Sequence, residues 1–390
     1  MLFSSAKDSM KKTVALILCF IVIPVAYFYF SNAGRIKSID QIYPRYVIGD
    51  VENIGTNKGK GNIIALSPYL HTYDFSSAKA FENMLRYYLN FARQKKLLSD
   101  STVVVLPEYF GTWLVALNEK ASVYSDTSIT DAMQTIVYSN LFSFAKAYLV
   151  STGKDREKEA IFRMKAQKMA YVYQQTLSKL SKEYKLTIVA GSIVLPEPEI
   201  ENGILKIHPN GKIYNVSVVY DMSGKARSPF IKKVFPINSE LGFTSKANNP
   251  ETPVFITPLG KIAVLICADS WFPQSYTSLN HKDIKAVVSP AYVNTTDVWN
   301  AKWKGYDYGT PPDVTQADKN NLTEVEAWKK YAVVARAKPA GIPYALNVFL
   351  RGDFWNLGSD GNTLLLKQDS LIEAKDQVEK TGSLINLWLE

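Results

Sequence analysis

Cysteine is nearly absent from this 390-residue chain, which holds two, Cys19 and Cys267. Two thiols so far apart, the first inside an apolar segment, exclude a disulfide framework, so nothing in the fold depends on an oxidising compartment. Histidine is almost as scarce: there are three, His71, His208 and His281, and none stands where a Cys-His pair is suggested. No cluster has metal-ligand spacing and no glycine-rich loop suits a phosphate, so neither a metal nor an organic cofactor is expected. The 45 Lys+Arg against 36 Asp+Glu leave a charge of +9 that is scattered rather than gathered into a stripe. That pattern argues against nucleic-acid binding and leaves a mild attraction to anionic membrane. Internal repeats and low-complexity tracts are also absent.

What the chain does have is hydrophobic material, 47% of its residues with 12% aromatic, enough for the core of a globular enzyme. Uncharged Thr13 to Phe30, preceded by Lys7, Lys11 and Lys12, is about long enough to span a bilayer. A retained anchor over 13–30 is favoured, with residues 1–12 cytoplasmic, a polar linker over 31–60, and one catalytic domain over 61–390 outside the cytoplasm. The competing reading is a cleaved signal peptide, since Ser31-Asn32-Ala33 offers small residues at the cleavage position. A lipoprotein fits less well, because Leu18 precedes Cys19 where a small residue belongs.

Beyond the linker, strand and helix signals alternate. Strands are predicted over Asn62–Ser67, Thr102–Leu106 and Leu186–Ala190, and amphipathic helices over Ser77–Lys96 and Asp155–Tyr184. Hairpins follow: Gly203–His208, a turn at Pro209-Asn210-Gly211, Ile213–Asp221, a turn at Ser223-Gly224, then Pro229–Pro236. This order predicts a layered α/β body with mixed sheets. Two aromatic-rich stretches, Tyr109–Lys154 and Tyr292–Asn321, interrupt it. They read either as binding loops or as aromatics packed on the body.

Cys267 ends the strand-like run Lys261–Ile266 and precedes a turn-like Ala268–Pro273, a placement that suits a nucleophile. Taken singly, it could be a small buried hydrophobe and Glu108 a structural carboxylate. A thiol with a pKa of about 8.5 needs proton removal before it attacks a carbonyl or nitrile carbon. Without a histidine partner, a strand-end carboxylate and an ammonium are the remaining activators.

Five segments, in order from about Asn62 to Leu366, resemble the carbon-nitrogen hydrolase, or nitrilase, superfamily. They are Leu106-Pro107-Glu108, Tyr214-Asn215 with Val218–Lys225, Phe230-Ile231-Lys232-Lys233, Pro258–Pro273 around Cys267, and Arg336-Ala337 with Asn347 and Gly358-Ser359. The resemblance implies a four-layer α-β-β-α sandwich and a Glu-Lys-Cys triad of Glu108, Lys232 and Cys267. It also implies a supporting Glu240, an oxyanion donor in the Ala268 backbone N–H, and pairing into a homodimer or larger assembly. Lys232 and Lys233 point to opposite faces of a strand; the resemblance favours Lys232, because Glu240 lies eight positions beyond it. Asn215 reads as structural, satisfying a turn backbone, rather than catalytic. Val234 where a histidine usually follows the lysine, and Ala268 where an aromatic usually follows the cysteine, are departures that could alter the pocket.

The expected activity is hydrolysis of a non-peptide, amide-type carbon-nitrogen bond in a small-molecule or lipid-like substrate. The alternatives are a membrane-associated N-acyltransferase with the same triad, nitrile hydrolysis, and a catalytically silent binding module. Against the acyltransferase, that branch carries a multi-helix membrane domain where this chain has one candidate span.

Overall fold

The computed structural model describes residues 20–36, 46–248, 251–280, 282–306, 309–375 and 378–390. One mixed sheet holds, in spatial order, β1 (Ile48–Ile54), β18 (Gly382–Trp388), β2 (Asn62–Ser67), β4 (Thr102–Val105), β5 (Thr187–Val189), β9 (Ile213–Tyr220) and β10 (Ala226–Lys232). A further strand, β6 (Ile193–Pro196), also pairs with β9. The second sheet runs β11 (Val254–Thr257), β12 (Gly260–Val264), β13 (Ile284–Ala291), β14 (Tyr344–Phe349), β16 (Leu364–Lys367) and β17 (Ser370–Glu373). Two small pairs complete the strands: β3 (Tyr69–His71) with β15 (Arg351–Asp353), and β7 (Pro198–Glu201) with β8 (Ile204–Ile207).

The period-two alternation of the strands sorts their side chains into separate layers. Ile63 and Ala65 of β2 and Val103 and Val105 of β4 share a core with Ile262, Val264, Val287 and Leu346 of the second sheet. Ile64, Leu66, Val104 and Leu106, one residue out of phase, pack instead with Phe81 and Leu85 of the helix Ala78–Gln94 and with Met169 and Tyr173 of the helix Arg156–Tyr184. Each large aliphatic side chain buried this way contributes about 1.5–3 kcal/mol. Beyond the second sheet lie the helices Glu324–Tyr331 and Val333–Ala337, with the Trp328 ring edge-on to Phe349 at 4.9 Å. The layers are therefore α-β-β-α, as expected. Local caps set the helix starts: the Ser77 side chain accepts from Ala80 N, and Asp155 from Lys158 N.

Two findings bear on the N-terminal expectations. Among the described residues no helix is long and apolar enough to cross a membrane. Residues 1–12 and the first part of the Thr13–Phe30 span, 13–19, lie outside the described residues; residues 20–32 are helical, with Phe20 74% and Ile23 65% exposed. The linker expected over 31–60 is also not all linker. Its residues 48–54 form β1, parallel to β18, because Ile48, Val51 and Ile54 find apolar cover at that sheet edge.

The stretch Tyr109–Lys154 is largely helical, with Ala121–Ser125, Ile129–Ser139 and Leu141–Leu149. Ile129, Met133, Ile136 and Val137 form the apolar stripe that packs the middle helix down. Tyr292–Asn321 stays mostly irregular, but Trp299 and Trp303 are buried, Trp303 stacking on Trp271 at 5.9 Å, so these aromatics are packing residues. Tyr308 and His281 lie outside the described residues.

Candidate active site

Cys267 follows the end of β12 and opens a short 3₁₀ turn, Cys267–Trp271. Its φ of +46° is left-handed, a conformation that costs a non-glycine residue about 1–3 kcal/mol and persists only where the surroundings enforce it. Here Ser270 Oγ donates to Cys267 O at 2.6 Å and Leu265 N to Val288 O at 3.0 Å. The thiol is 7% exposed and lies 4.0 Å from the Tyr292 carbonyl oxygen. The Ala268 N–H belongs to the first turn, where backbone donors have no intrahelical acceptor.

Glu108 is carried by the chain leaving β4. Leu106 N donates to Val189 O at 2.9 Å, and Tyr109 N and Gly111 N donate to Ser192 Oγ and Ser192 O at 2.8 and 2.9 Å. Gly191, at φ +67°, makes this clamp possible, since a Cβ there would stand 2.1 Å from Pro107 O.

The lysine beside Glu108 is Lys233. Its Nζ donates to Glu108 Oε1 at 2.8 Å and to Glu240 Oε2 at 2.6 Å, and all three side chains are buried. Lys232, expected at this position, instead pairs with Glu197 at 2.8 Å and lies over the Tyr214 ring. Register is the reason: Ile231 belongs to the inter-sheet core, so Lys233, two residues on, shares its face while Lys232 takes the opposite one. Lys233 N donates to Asn215 O, which fixes it opposite Asn215 on β9. The spacing to Glu240 is then seven, not eight. Phe230 is apolar in phase with Lys232 as Ile231 is with Lys233, so the local pattern does not choose between the lysines.

Three further residues belong to the cluster. Asn215 Nδ2 donates to Glu108 Oε1 at 2.9 Å and Glu240 Oε1 at 3.0 Å, a bridge between carboxylates rather than the turn-satisfying role expected of it. Tyr109 OH donates to Glu240 Oε1 at 2.5 Å. Asp269 accepts from Val234 N at 3.0 Å and Phe235 N at 2.8 Å, tying the cysteine turn to the segment after Lys233. Burial pushes the Asp269 carboxyl up to about 7 against these hydrogen bonds. Nothing local in the sequence marks Tyr109 or Asp269 beyond adjacency to Glu108 and Cys267.

Charge is unequally shared among the buried groups. Burial first, then the Glu240 charge, raises the Glu108 pKa despite the opposing pull of Lys233. Burial also acts to raise Glu240, but Lys233, Tyr109 and the Ile237 N–H together hold it below its ordinary value. For Lys233, burial favours the neutral amine, yet Glu108 and Glu240 hold it charged, well above its ordinary value. The Cys267 thiol is pushed up by burial and by the Glu108 charge, with Lys233 opposing them. The site thus holds an ionised Glu240, an ammonium, a neutral thiol and one carboxyl poised to exchange a proton.

A model of the carbon-nitrogen hydrolase family matches residues 63–308, more than half of the chain and the span that carries this cluster. The chain belongs to the carbon-nitrogen hydrolase family. Among solved structures, this carbon-nitrogen hydrolase is similar to an amidase from Nesterenkonia sp., with 12% identity, a TM-score of 0.50, and coverage of 86% of this chain and 92% of that one. A mutant of the Nesterenkonia AN1 amidase, described as from the nitrilase superfamily, gives 11%, 0.50, 86% and 94%. Nit3 of Saccharomyces cerevisiae, a member of branch 10 of that superfamily, gives 18%, 0.47, 85% and 92%. At such identities the likeness is one of fold. No curated protein matches the chain.

The hydrolase has a cavity of about 380 Å³ reaching the cluster, with Tyr109, Glu240 and Tyr292 in its wall. A larger one, of about 540 Å³, lies on the Lys232 side and touches Asp269 but none of Glu108, Lys233 and Cys267. The wall of the smaller cavity holds none of those three either, but its Glu240 accepts from Lys233 and the carbonyl oxygen of its Tyr292 lies 4.0 Å from the thiol, which makes it the better place for a substrate.

Proposed function

We propose that this carbon-nitrogen hydrolase cleaves a non-peptide, amide-type bond through a thioester on Cys267, with Glu108 as base and Lys233 as the stabilising cation. Glu108 takes the thiol proton as Sγ bonds to the carbonyl carbon, and the carbonyl electrons move onto oxygen. That oxyanion is stabilised by the Lys233 ammonium and the Ala268 N–H. Its collapse breaks the C–N bond, and Glu108 returns the proton to the departing nitrogen. Water then attacks the thioester and gives Glu108 a proton. The C–S bond breaks, the acid leaves, and the sulfur is reprotonated. Glu240, Asn215 and Tyr109 position the lysine and the base rather than react.

The observation that supports this reading is the buried contact of Lys233 with both Glu108 and Glu240 beside the Cys267 thiol. Intact-mass spectrometry of the full chain incubated with amides, nitriles, activated esters and phospholipids tests it. The expected result is an acyl adduct on the wild type that is missing from Cys267→Ala. Lys233→Met should lower kcat by about 10²–10³-fold, as loss of an oxyanion donor does, with Lys232→Met close to wild type. No adduct and no turnover, with ordinary thiol reactivity, would leave a silent scaffold and sink the mechanism.

A further inference from the structure

The cavity at the cluster does not end there. A second cavity, of about 430 Å³, shares Ile129, Thr130, Met133, Lys158 and Ile161 with it, so the two form one groove leading outward from Tyr109 and Glu240. Near the cluster, Thr112, Trp113, Val115 and Phe162 line the groove, and Thr112 Oγ1 and Trp113 Nε1 are buried with no hydrogen-bond partner among the described residues. Farther out the wall combines apolar Met133, Val137, Tyr138 and Phe144 with polar Gln134, Asp155, Glu157 and Lys158.

The outer mouth opens onto apolar surface. Tyr138 is 58% exposed, and Phe142 and Leu149 beyond it are 71% and 80% exposed. The N-terminal helix is fastened at this corner. Tyr27 OH accepts from Leu141 N at 2.7 Å, its ring is edge-on to Phe142 at 5.1 Å, and Ser31 Oγ donates to Ser139 O at 2.7 Å. Exposed Phe20, Ile21, Val22 and Ile23 therefore belong to a helix docked beside the mouth.

We propose that the groove holds the hydrocarbon chain of a long-chain acyl amide, with its carbonyl carbon at Cys267, and that the chain is drawn from a lipid surface lying against residues 20–32 and the rings of Tyr138 and Phe142. This rests on the hydrolase reading. The step is the one already written, with water as co-reactant and a fatty acid and an amine as products. Apolar lining along much of the groove, from Trp113, Val115 and Phe162 near the cluster to Met133, Val137 and Phe144 farther out, fits a hydrocarbon chain, and apolar side chains exposed around the mouth fit a lipid donor phase.

The test uses the full chain and acyl p-nitroanilides from acetyl to palmitoyl in detergent micelles. We expect kcat/KM to rise by about fourfold per added methylene until the groove is filled. Met133→Trp, and Thr130→Trp at an exposed wall position in case the first does not fold, should move the optimum to shorter chains. Acetyl turnover with a flat or falling series overturns the groove and leaves the hydrolase standing. No turnover at any length, with no thioester on Cys267, removes the hydrolase reading itself. A second arm presents palmitoyl p-nitroanilide in phosphatidylglycerol vesicles. A Phe142→Asp loss of about tenfold confined to the vesicles supports withdrawal from a lipid surface; an equal rate for the variant in both arms overturns that part.

Discussion

In the resting site the Cys267 thiol is neutral: burial pushes its pKa up first, the Glu108 charge pushes it further, and Lys233 only partly offsets them. In the proposed mechanism the nucleophile is therefore made at the moment of reaction by Glu108, not stored as a thiolate. Glu108→Gln should separate the two properties. Removing the neighbouring charge lowers the thiol pKa, so iodoacetamide alkylation of Cys267 should speed up at fixed pH while amide turnover falls by at least about 10²-fold. Slower alkylation in that variant would show that Glu108 does not act on the thiol this way. The pH profile carries a second expectation. Because the Glu108 pKa is raised, protonation on the acid side removes the base nearer neutrality than an ordinary carboxylate near 4.3 would allow. Glu240 contributes to that rise, so Glu240→Gln should move the acid limb of kcat/KM to lower pH even as it lowers the maximum.

Between residues and fold stand the short segments that aim the side chains. The Pro107–Gly111 turn is held by the segment after β5 through Ser192 and by the absence of a side chain at Gly191. Gly191→Ala adds a Cβ at a left-handed position and against Pro107 O. It should cost about 1–3 kcal/mol of stability and lower kcat by more than the fraction unfolded explains. Thermal unfolding and kcat measured on one preparation check this; wild-type kcat in a destabilised variant would uncouple the segment from the base. The sequence makes the segments themselves legible, since β2, β4 and β9 and the helices 78–94 and 156–184 follow from periodicity and caps. It does not make legible the helical state of 121–149, where aromatic content obscures the stripe through Ile129, Met133, Ile136 and Val137.

At the scale of the whole molecule, the Arg35 guanidinium adds four hydrogen bonds to the Tyr27 and Ser31 contacts that join the N-terminal helix to the body. Arg35 Nη1 donates to Asn118 O and Glu119 Oε2, and Nη2 to Ser139 O and Asn140 Oδ1, each at 2.9 Å. Glu119 is also paired with buried Lys165 at 2.6 Å, so it keeps one cation when Arg35 is lost. Arg35→Ala should thus loosen residues 20–36, leaving the Tyr27 and Ser31 contacts, without unfolding the domain. Hydrogen exchange over 20–36 should accelerate by about 10–10²-fold, matching the roughly 1–3 kcal/mol that charged hydrogen bonds contribute, with the global melting temperature little changed. A global loss of stability would mean that this helix is part of the core.

The sequence by itself determined the main strands and helices and the family, and it singled out Cys267 and Glu108 as candidates for nucleophile and base, because periodicity and motif order are properties of the chain alone. Tertiary structure decided which of two adjacent lysines meets Glu108, because facing depends on how β10 registers against β9 at Asn215. It also decided that Tyr109, Asn215 and Asp269 join the site. Their partners are remote in sequence: Tyr109 reaches Glu240, Asn215 bridges Glu108 and Glu240, and Asp269 accepts from Val234 and Phe235. No local pattern encodes a hydrogen bond that exists only once two sheets have closed on each other.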